Sequence, residues 1–371
     1  MMPSHERIRL TYELTCGVGQ KPEAIAIGIA YESTVELPDE CLTDADRDRV
    51  VGEVEELEAV GDDLWRVVLS YTTELIGGSL VQLLNLIYGN ISLSRGIRLI
   101  EVEWPPTMGE SFPGPRFGIG GLRDLCGVGE GRPLSCAVAK PVGSSVDQLV
   151  DRCRDLTLGG VDLIKDDHSL GDQWWAPFYD RVGRCQAAIQ AANDEVGGST
   201  VYLPTLTASG AELAKRVAYL HSIGCRGATV LPIYLGLDTV RELAASSGLA
   251  LLGHPSGSGV FFQERAGIAP DVLLGQIYRL AGCDVVNFPR AGGRFPLSQV
   301  MEARIVHNLQ VPMGPIRPAS PAPGGSVEVE SVSPWLDRYG PDAVFVVGAS
   351  LFRGSRVREL ASRLAGAMQV V

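Results

Sequence analysis

The stretch Gly160-Val161-Asp162-Leu163-Ile164-Lys165-Asp166-Asp167-His168 decides how this 371-residue chain is interpreted. Its mainly apolar first half predicts a buried strand, which ends directly in an amine, two carboxylates and an imidazole. Charged groups are costly to bury without partners, so this cluster indicates a site of chemistry at the end of a strand. Taken alone, the segment is equally compatible with an ordinary strand end that carries a solvated salt bridge.

The composition is that of an acidic globular protein, with a net charge of -12, 45% apolar and 20% charged residues. The negative charge argues against a nucleic-acid groove or an anionic membrane surface as partner. Residues 1–7 are polar, and no apolar run is long enough to span a bilayer. Eight cysteines without a CxxC pair favour buried, reduced thiols. We therefore expect a cytoplasmic protein.

Residues 8–104 predict the order strand, helix, two strands, helix, strand. Residues 8–14 alternate apolar and polar side chains, as a half-buried strand does, and Pro22 suits the first turn of a helix. A hairpin is expected around Gly61-Asp62-Asp63, and residues 98–104 give the closing strand. Two strand–helix–strand halves predict an N-terminal ferredoxin-like α+β domain, to which we assign residues 1–125.

The rest of the chain, residues 126–371, predicts a C-terminal (β/α)8 TIM barrel. A stretch rich in proline and glycine precedes it, and apolar strands then alternate with helical patterns. The predicted strands are 134–139, 161–164, 200–203, 228–231, 249–252, 284–288, 312–317 and 343–347. The class is therefore α/β for this domain. An open doubly wound sheet is the alternative, but no GxGxxG phosphate motif follows the first of these strands.

Polar residues and glycines follow several of these strands, where a barrel places its active site. They are Lys140, Lys165 to His168, His254, Arg294, Gly324 with Gly325, and Gly348 with Ala349. Each has a plain alternative: a glycine can serve a tight turn, a lone histidine can be a core residue, and a lysine can form a surface ion pair. Their convergence on one face favours a common site.

The chemistry that suits these groups is removal of a proton next to a carbonyl. A divalent cation held by Asp167 and neighbouring oxygens would polarise the carbonyl and stabilise an enediolate. Lys140 is the candidate general base, and His254 could relay a proton to or from a hydroxyl. Glycine-rich turns after the last two strands could present backbone N–H groups to a phosphate.

With these residues in this order, the chain resembles the RuBisCO superfamily, and specifically the RuBisCO-like proteins that do not fix carbon. The matching motifs are residues 159–167, Ala139-Lys140-Pro141, Gly89-Asn90-Ile91-Ser92 and Glu32-Ser33-Thr34, with His254 and Gly348 in fitting positions. The resemblance implies a carbamylated lysine at Lys165 that binds Mg2+ together with two acids. It also implies homodimers or larger oligomers of dimers, in which Glu32 and Asn90 complete the barrel site of another subunit.

Departures from RuBisCO exclude carboxylation of a bisphosphate as the expected activity. His168 replaces an acid, and imidazole suits Mg2+ poorly, so the metal differs, is weakly held or is absent. Pro255 replaces an arginine, Val142-Gly143 replaces a second lysine, and Asn287 replaces a histidine, while the mobile-loop lysine falls near Arg294. A phosphate-binding Thr-Trp pair is replaced near Leu37-Pro38.

The sequence therefore predicts an enzyme of the RuBisCO-like isomerase or lyase type that enolises or isomerises a small sugar-derived carbonyl compound with one phosphate or carboxylate. In this hypothesis Lys140 moves the proton, Lys165 and Asp167 hold a cation, and His168 is a ligand or an acid/base. Gly324, Gly325, Gly348 and Ala349 would bind the anionic end of the substrate. One alternative is a metal-independent lyase or decarboxylase, with Lys165 an ammonium paired with Asp167. Another is a non-catalytic scaffold or stress-response protein.

Overall fold

The structure is a computed structural model, and it describes residues 6–106, 108–325, 327–329, 332–354 and 356–369. The polar residues 1–5 lie outside the described part. The described chain divides into two compact units. The first comprises 1–112, 257–273 and 313–315, and the second comprises 113–256, 274–312 and 316–371. The predicted boundary between residues 125 and 126 stays a proposal.

The strands are, in chain order, β1 Arg7–Thr15, β2 Glu53–Ala59, β3 Leu64–Thr72, β4 Ile97–Glu103, β5 Leu134–Ala139, β6 Leu163–Asp166, β7 Val201–Leu203, β8 Thr205–Leu206, β9 Gly227–Val230, β10 Ala250–Gly253, β11 Gly267–Ile268, β12 Val285–Pro289, β13 Ser320–Gly324 and β14 Val344–Val347.

The α-helices are α1 Pro22–Glu32, α2 Asp44–Val50, α3 Leu80–Tyr88, α4 Met108–Ser111, α5 Gly118–Cys126, α6 Val146–Leu158, α7 Phe178–Val196, α8 Gly210–Ser222, α9 Pro232–Leu235, α10 Leu237–Ser246, α11 Pro270–Val272, α12 Tyr278–Leu280, α13 Gln299–Gln310, α14 Ser333–Tyr339 and α15 Val357–Ala367. Among the described residues, none of the helices combines the length and the apolar character that crossing a bilayer requires.

The first unit is built on one sheet with strand order β11-β4-β1-β3-β2. Its strands β1 to β4 pair antiparallel in the order 4-1-3-2, which confirms the predicted ferredoxin-like arrangement. Alternate residues of β1 are buried, because successive side chains of a strand point to opposite faces. Strand β2 lies at the edge of this sheet and is almost fully exposed, with the sequence Glu-Val-Glu-Glu-Leu-Glu-Ala.

The second unit is the α/β barrel. Its parallel strands form the orders β14-β5-β6-β7 and β13-β12-β10-β9-β8. The apolar side chains that face inward pack into one core, to which Leu134, Cys136, Leu163, Leu203, Leu252 and Val344 belong. Helix α5 contributes Leu122 and Cys126 to the same core. The barrel is thus filled with side chains, and the carboxyl ends of its strands are where polar groups can meet a ligand.

Helix α5 is fixed to the barrel by Asp284, which precedes β12. The carboxylate accepts hydrogen bonds from the backbone N–H groups of Phe117 and Gly118 at 2.7 and 2.8 Å, and from Leu251 at 2.9 Å. Burial raises the pKa of Asp284 to about 6, although the three N–H donors oppose this effect. One buried carboxylate therefore joins the start of a helix to the strand β10.

The predicted barrel strands match the structure except for the seventh, which is wrong. Residues 312–317, predicted as a strand, form only an isolated bridge between Met313 and Pro315. The strand is β13, Ser320–Gly324, which pairs in parallel with β12. Its sequence contains two prolines, and proline cannot donate to a sheet ladder, so the pattern argues against a central strand. Helix α6 begins at a capping box formed by Ser145 and Gln148.

Candidate active site

The alternation of side chains along β6 divides the charged cluster that follows its apolar run. Lys165 and Asp167 are two residues apart and so face the same side, while Asp166 faces the opposite side. Asp166 accepts hydrogen bonds from the hydroxyl of Tyr202 at 2.6 Å and from the backbone N–H of Thr205 at 3.3 Å. It also lies 3.3 Å from the guanidinium of Arg181. Asp166 is therefore a structural carboxylate, and Asp167 is left for the site.

Lys165 is an amine almost completely removed from water, with 2% of its surface exposed. Its Nζ donates a hydrogen bond to the backbone carbonyl of Asp166 at 2.6 Å. Burial lowers the pKa of Lys165, and the charge of Lys140 acts in the same direction, whereas nearby thiol and carboxyl groups oppose them. A buried lysine of this kind has an increased share of neutral amine.

Lys140, directly after β5, reaches the same side of the barrel mouth and forms an ion pair with Asp167. Burial opposes ionisation of Asp167, but the Lys140 amine and the backbone N–H of Ser169 lower its pKa to about 2. Gly348, after β14, lies against the lysine stem, because a methyl group added there would meet Lys140 Cε at 3.4 Å. The ion pair between Lys165 and Asp167, assumed in the metal-free alternative, is thus a pair between Lys140 and Asp167.

Two imidazoles stack beside this ion pair. The rings of His168 and His254 have centroids 4.1 Å apart and an interplanar angle of 12°. His168 Nδ1 lies 3.4 Å from Asp167 Oδ1. Burial lowers the pKa of His168, and burial with the charge of Lys165 lowers that of His254 to about 2. Both rings are therefore neutral at physiological pH.

A buried arginine, which the sequence analysis did not identify, forms hydrogen bonds with the backbone of the loop that carries His168. Arg181 on α7 is completely buried and donates to the carbonyl oxygens of Gly171 and Ala176 at 3.0 and 2.6 Å. The same guanidinium pairs with Asp166. The strand end and the following loop are thus tied together through one side chain. A charged residue within a helical pattern gave no signal of this role, since most such residues are solvated.

The predicted anion-binding residues are distributed over three strand ends. The charge of Arg294 acts on His168, where it contributes to the lowered pKa. Gly324 ends β13 and Gly325 follows it; this turn is joined to the end of β12, since Arg290 Nε donates to the carbonyl of Gly325 at 2.9 Å. Ala349 begins a short 3-10 helix directly after Gly348. Substrate contacts of these residues stay predictions.

Asn287 on β12 takes a structural role. Its side-chain amide donates to the carbonyl of Ala322 on the neighbouring strand at 2.8 Å. Glu32 and Asn90 belong to the first unit, where Asn90 Nδ2 donates to Glu32 Oε1 at 3.1 Å. The structure therefore brings these two residues together, and their action on a barrel site stays a prediction.

A divalent cation at this site would need several oxygen or nitrogen donors close together. Asp167 Oδ1 and His168 Nδ1 are 3.4 Å apart, close to the roughly 3 Å that separates neighbouring ligands of an octahedral ion. In the described part of the chain, however, no group of three or more His, Cys, Asp or Glu side chains is placed to hold a metal. A carbamate on Lys165 would add the missing oxygen donors. Asp167 and His168 therefore fit a divalent cation if Lys165 carries that carbamate.

The fold and this site define a class: an α/β-barrel enzyme, preceded by a ferredoxin-like unit, with lysines, a carboxylate and imidazoles at the barrel mouth. Residues 118–295 match the family "Ribulose bisphosphate carboxylase large chain, catalytic domain", and residues 1–108 match the corresponding N-terminal domain. The chain belongs to the RuBisCO large-chain family.

Relatives of this chain include enzymes of both predicted kinds. The "5-methylthioribulose-1-phosphate isomerase" of Rhodospirillum rubrum is 36% identical over 93% of this chain and 91% of its own length. The "2,3-diketo-5-methylthiopentyl-1-phosphate enolase" of Geobacillus kaustophilus is 32% identical over 90% of this chain and 84% of its own. A RuBisCO-like protein from Rhodopseudomonas palustris of solved structure has a TM-score of 0.89 and 30% identity, and covers 99% of this chain and 98% of its own. These relatives confirm a RuBisCO-like enzyme of the isomerase or enolase type rather than a carboxylase or an inert scaffold.

Proposed function

We propose that this protein isomerises a monophosphorylated ketose, with 5-methylthioribulose 1-phosphate as the first substrate to test. The relative from Rhodospirillum rubrum bears the name of that activity. The observation that carries the proposal is the pair of Lys140 and Asp167 beside the stacked imidazoles of His168 and His254. An amine, a carboxylate and two neutral imidazoles are groups that move protons next to a carbonyl.

Isomerisation begins when the C–H bond beside the carbonyl breaks. Lys140 takes the proton, the bonding electrons form a carbon–carbon double bond, and negative charge develops on the carbonyl oxygen. Lys140 must be neutral to accept a proton, so its ammonium first has to release a proton to solvent and leave its ion pair with Asp167. His254 would donate a hydrogen bond to the charged oxygen. Return of the proton to the former carbonyl carbon, together with transfer of the neighbouring hydroxyl proton to the charged oxygen, completes the reaction, and no oxidant or reductant is required.

We further propose that Lys165 is carbamylated and, with Asp167 and His168, holds a divalent cation. The neutral amine attacks CO2, a carbon–nitrogen bond forms and one proton is released. Burial of Lys165 favours the neutral form that this step needs. When bound, the cation would polarise the carbonyl of the substrate. Because an imidazole replaces one acid, we expect the site to hold Mn2+ or another transition metal more tightly than Mg2+.

The activity is tested by NMR with 5-methylthioribulose 1-phosphate in D2O. We expect deuterium to enter the carbon next to the carbonyl and a rearranged ketose to form. Lys140→Met should abolish both, whereas Lys215→Met on helix α8 should change neither. Unchanged exchange in Lys140→Met would remove the general-base role.

Enolisation of 2,3-diketo-5-methylthiopentyl 1-phosphate is the second candidate, because a 32% identical relative bears the name of that enolase. It requires the same first proton transfer, so Lys140→Met should stop it too. The two products differ in their NMR spectra, and the substrate with the higher kcat/KM identifies the reaction. Turnover of neither compound would overturn both assignments.

The cation is tested by elemental analysis after dialysis with and without bicarbonate. We expect about one divalent ion per chain only when bicarbonate is present, and none in Lys165→Met. Labelled bicarbonate should give one carbamate signal in the 13C spectrum of the wild type. Full activity without a bound metal would instead support the metal-independent alternative.

We also propose that the working unit is a homodimer in which Glu32 and Asn90 of one subunit serve the barrel site of the other. Their mutual hydrogen bond would orient one polar pair toward that site. Asn90→Ala and Lys140→Met should each be inactive, but a mixed dimer of the two has one site with both native residues. Mixing after partial denaturation should therefore restore up to about a quarter of the wild-type activity. No recovery despite proven mixing would argue for action within one chain.

A further inference from the structure

Ser256 was not singled out by any motif, and it contacts the ring of His254. Its hydroxyl oxygen lies 2.9 Å from His254 Nδ1. Its backbone N–H donates to the same nitrogen at 3.2 Å. Both residues belong to the turn after β10, in the barrel unit. One ring nitrogen of His254 is therefore engaged by two groups of a single residue.

The backbone contact decides where the ring carries its hydrogen. A neutral imidazole has one protonated and one unprotonated nitrogen, and only the unprotonated nitrogen accepts a hydrogen bond. A backbone N–H can only donate, so Nδ1 must be the acceptor and Nε2 must carry the hydrogen. Protonating Nδ1 would set two N–H groups against each other. The serine hydroxyl can donate to the same lone pair and strengthens the preference.

The other ring nitrogen is left for a ligand. Among the described residues, no protein group forms a hydrogen bond with Nε2 of His254. The ring is kept in its plane by stacking on His168, at 4.1 Å and 12°. With its tautomer set from one side and its plane set by the neighbouring ring, the imidazole can present an N–H in one direction only.

We propose that Ser256 is a positioning residue that fixes His254 as the Nε2–H tautomer, so that His254 donates a hydrogen bond to the reacting oxygen of the substrate and does not accept a proton from it. This inference rests on the proposed function for its substrate, but the tautomer itself belongs to the free enzyme. His254 stabilises the oxygen on which charge develops, and Lys140 remains the group that accepts the proton. A neutral imidazole donor provides this stabilisation without a change of its own charge.

The tautomer is measured by long-range 1H–15N correlation NMR on full-length protein labelled with 15N-histidine. The chain has five histidines, and His254→Gln assigns the signal of interest by its loss. His221 serves as an internal reference, because its Nε2 faces the carbonyl of Ser247 and must also be protonated. We expect an unprotonated Nδ1 and a protonated Nε2 for His254. A protonated Nδ1 would overturn the proposal.

Two variants test the role of Ser256. Ser256→Pro removes both donors and should give a mixture of tautomers, with kcat lowered about tenfold and KM within about twofold of wild type. Ser256→Ala keeps the backbone N–H, so Nδ1 should stay unprotonated but its resonance should shift as one donor is lost. An unchanged His254 spectrum in both variants would refute the role, and Ser256→Ala decides the matter if the proline variant does not fold. Since the spectra need no substrate, they stand even if neither proposed substrate is turned over.

Discussion

Replacement of Arg181 by methionine tests how the loop of His168 is held. The guanidinium is completely buried, pairs with Asp166 at 3.3 Å and donates to the carbonyl oxygens of Gly171 and Ala176. Methionine fills much of the same volume but leaves the carboxylate without its cation. Removing one partner of a buried pair costs about 3–5 kcal/mol. We expect the free energy of unfolding to fall by that amount.

Part of this cost is offset, because Asp166 keeps the hydroxyl of Tyr202 and the N–H of Thr205. The lower end of the range is therefore expected, about 3 kcal/mol. Because the loop loses its anchor, His168 should also be displaced, and kcat should fall more than KM rises.

The assay is equilibrium unfolding in urea, followed by circular dichroism and by the fluorescence of Trp174 and Trp175, which lie in the same loop. Arg184→Met is the matched control, on the same helix α7 and with the same substitution. Its partner Asp147 is 77% exposed, so the loss should lie within the error of the measurement. If Arg181→Met were as stable as this control, the buried pair would not hold the loop.

Three further outcomes follow from contacts in the barrel. The pKa of Asp284 is raised to about 6 in the folded protein, so its protonated form stabilises the fold. This contribution to the free energy of unfolding is on the order of 3 kcal/mol. It is complete below about pH 4 and is lost as the pH rises to 6. Urea unfolding across this range should show the decrease, and Asp284→Asn should flatten it; an equal slope in that variant would assign it to other groups. Gly253→Ala would place a methyl group 2.7 Å from Cys283 Sγ, so it should lower stability by about 1–3 kcal/mol and reduce kcat by moving His254. Adding Cys283→Ala should recover most of the loss in melting temperature, and no recovery would mean that strain lies elsewhere. Gly324→Ala would bring a methyl group 2.6 Å from Asn287 Nδ2 and break the hydrogen bond of Asn287 to Ala322, which should lower the melting temperature measurably. Gly325→Ala meets no atom within 4 Å, so any loss of stability in that variant comes from backbone strain at φ 87°.

The order of elements could be predicted from the sequence because the apolar pattern changes its period at recognisable turns. The prediction of a strand at residues 312–317 was wrong for a physical reason. Pro321 and Pro323 give the sequence of the true strand β13 the character of a loop. The structure tolerates them because β13 lies at the end of its five-stranded order, where its ladder is with β12 on one side. Local propensity was overruled by packing that no short window of sequence contains.

The candidate site was predicted in part. The positions of Lys140, Asp167 and His254 follow from strand ends, and these ends meet in any barrel. The two-residue period of a strand also separates Asp166 from Asp167. The contacts of Arg181 and Ser256 could not be predicted, since they depend on the path of a loop and on the backbone of a turn.

Strand β2 at the edge of the N-terminal sheet has a consequence for behaviour in solution. Its exposed backbone would be a template for a strand of another molecule, but Glu53, Glu55, Glu56 and Glu58 line it. Three arginines of the sheet, Arg7, Arg9 and Arg66, pair with these four glutamates, so the edge keeps a net negative charge. Two such edges repel each other at low ionic strength. Salt shortens the range of this repulsion to about 10 Å at 0.1 M and further at higher concentration. We therefore expect the protein to begin to aggregate in concentrated salt.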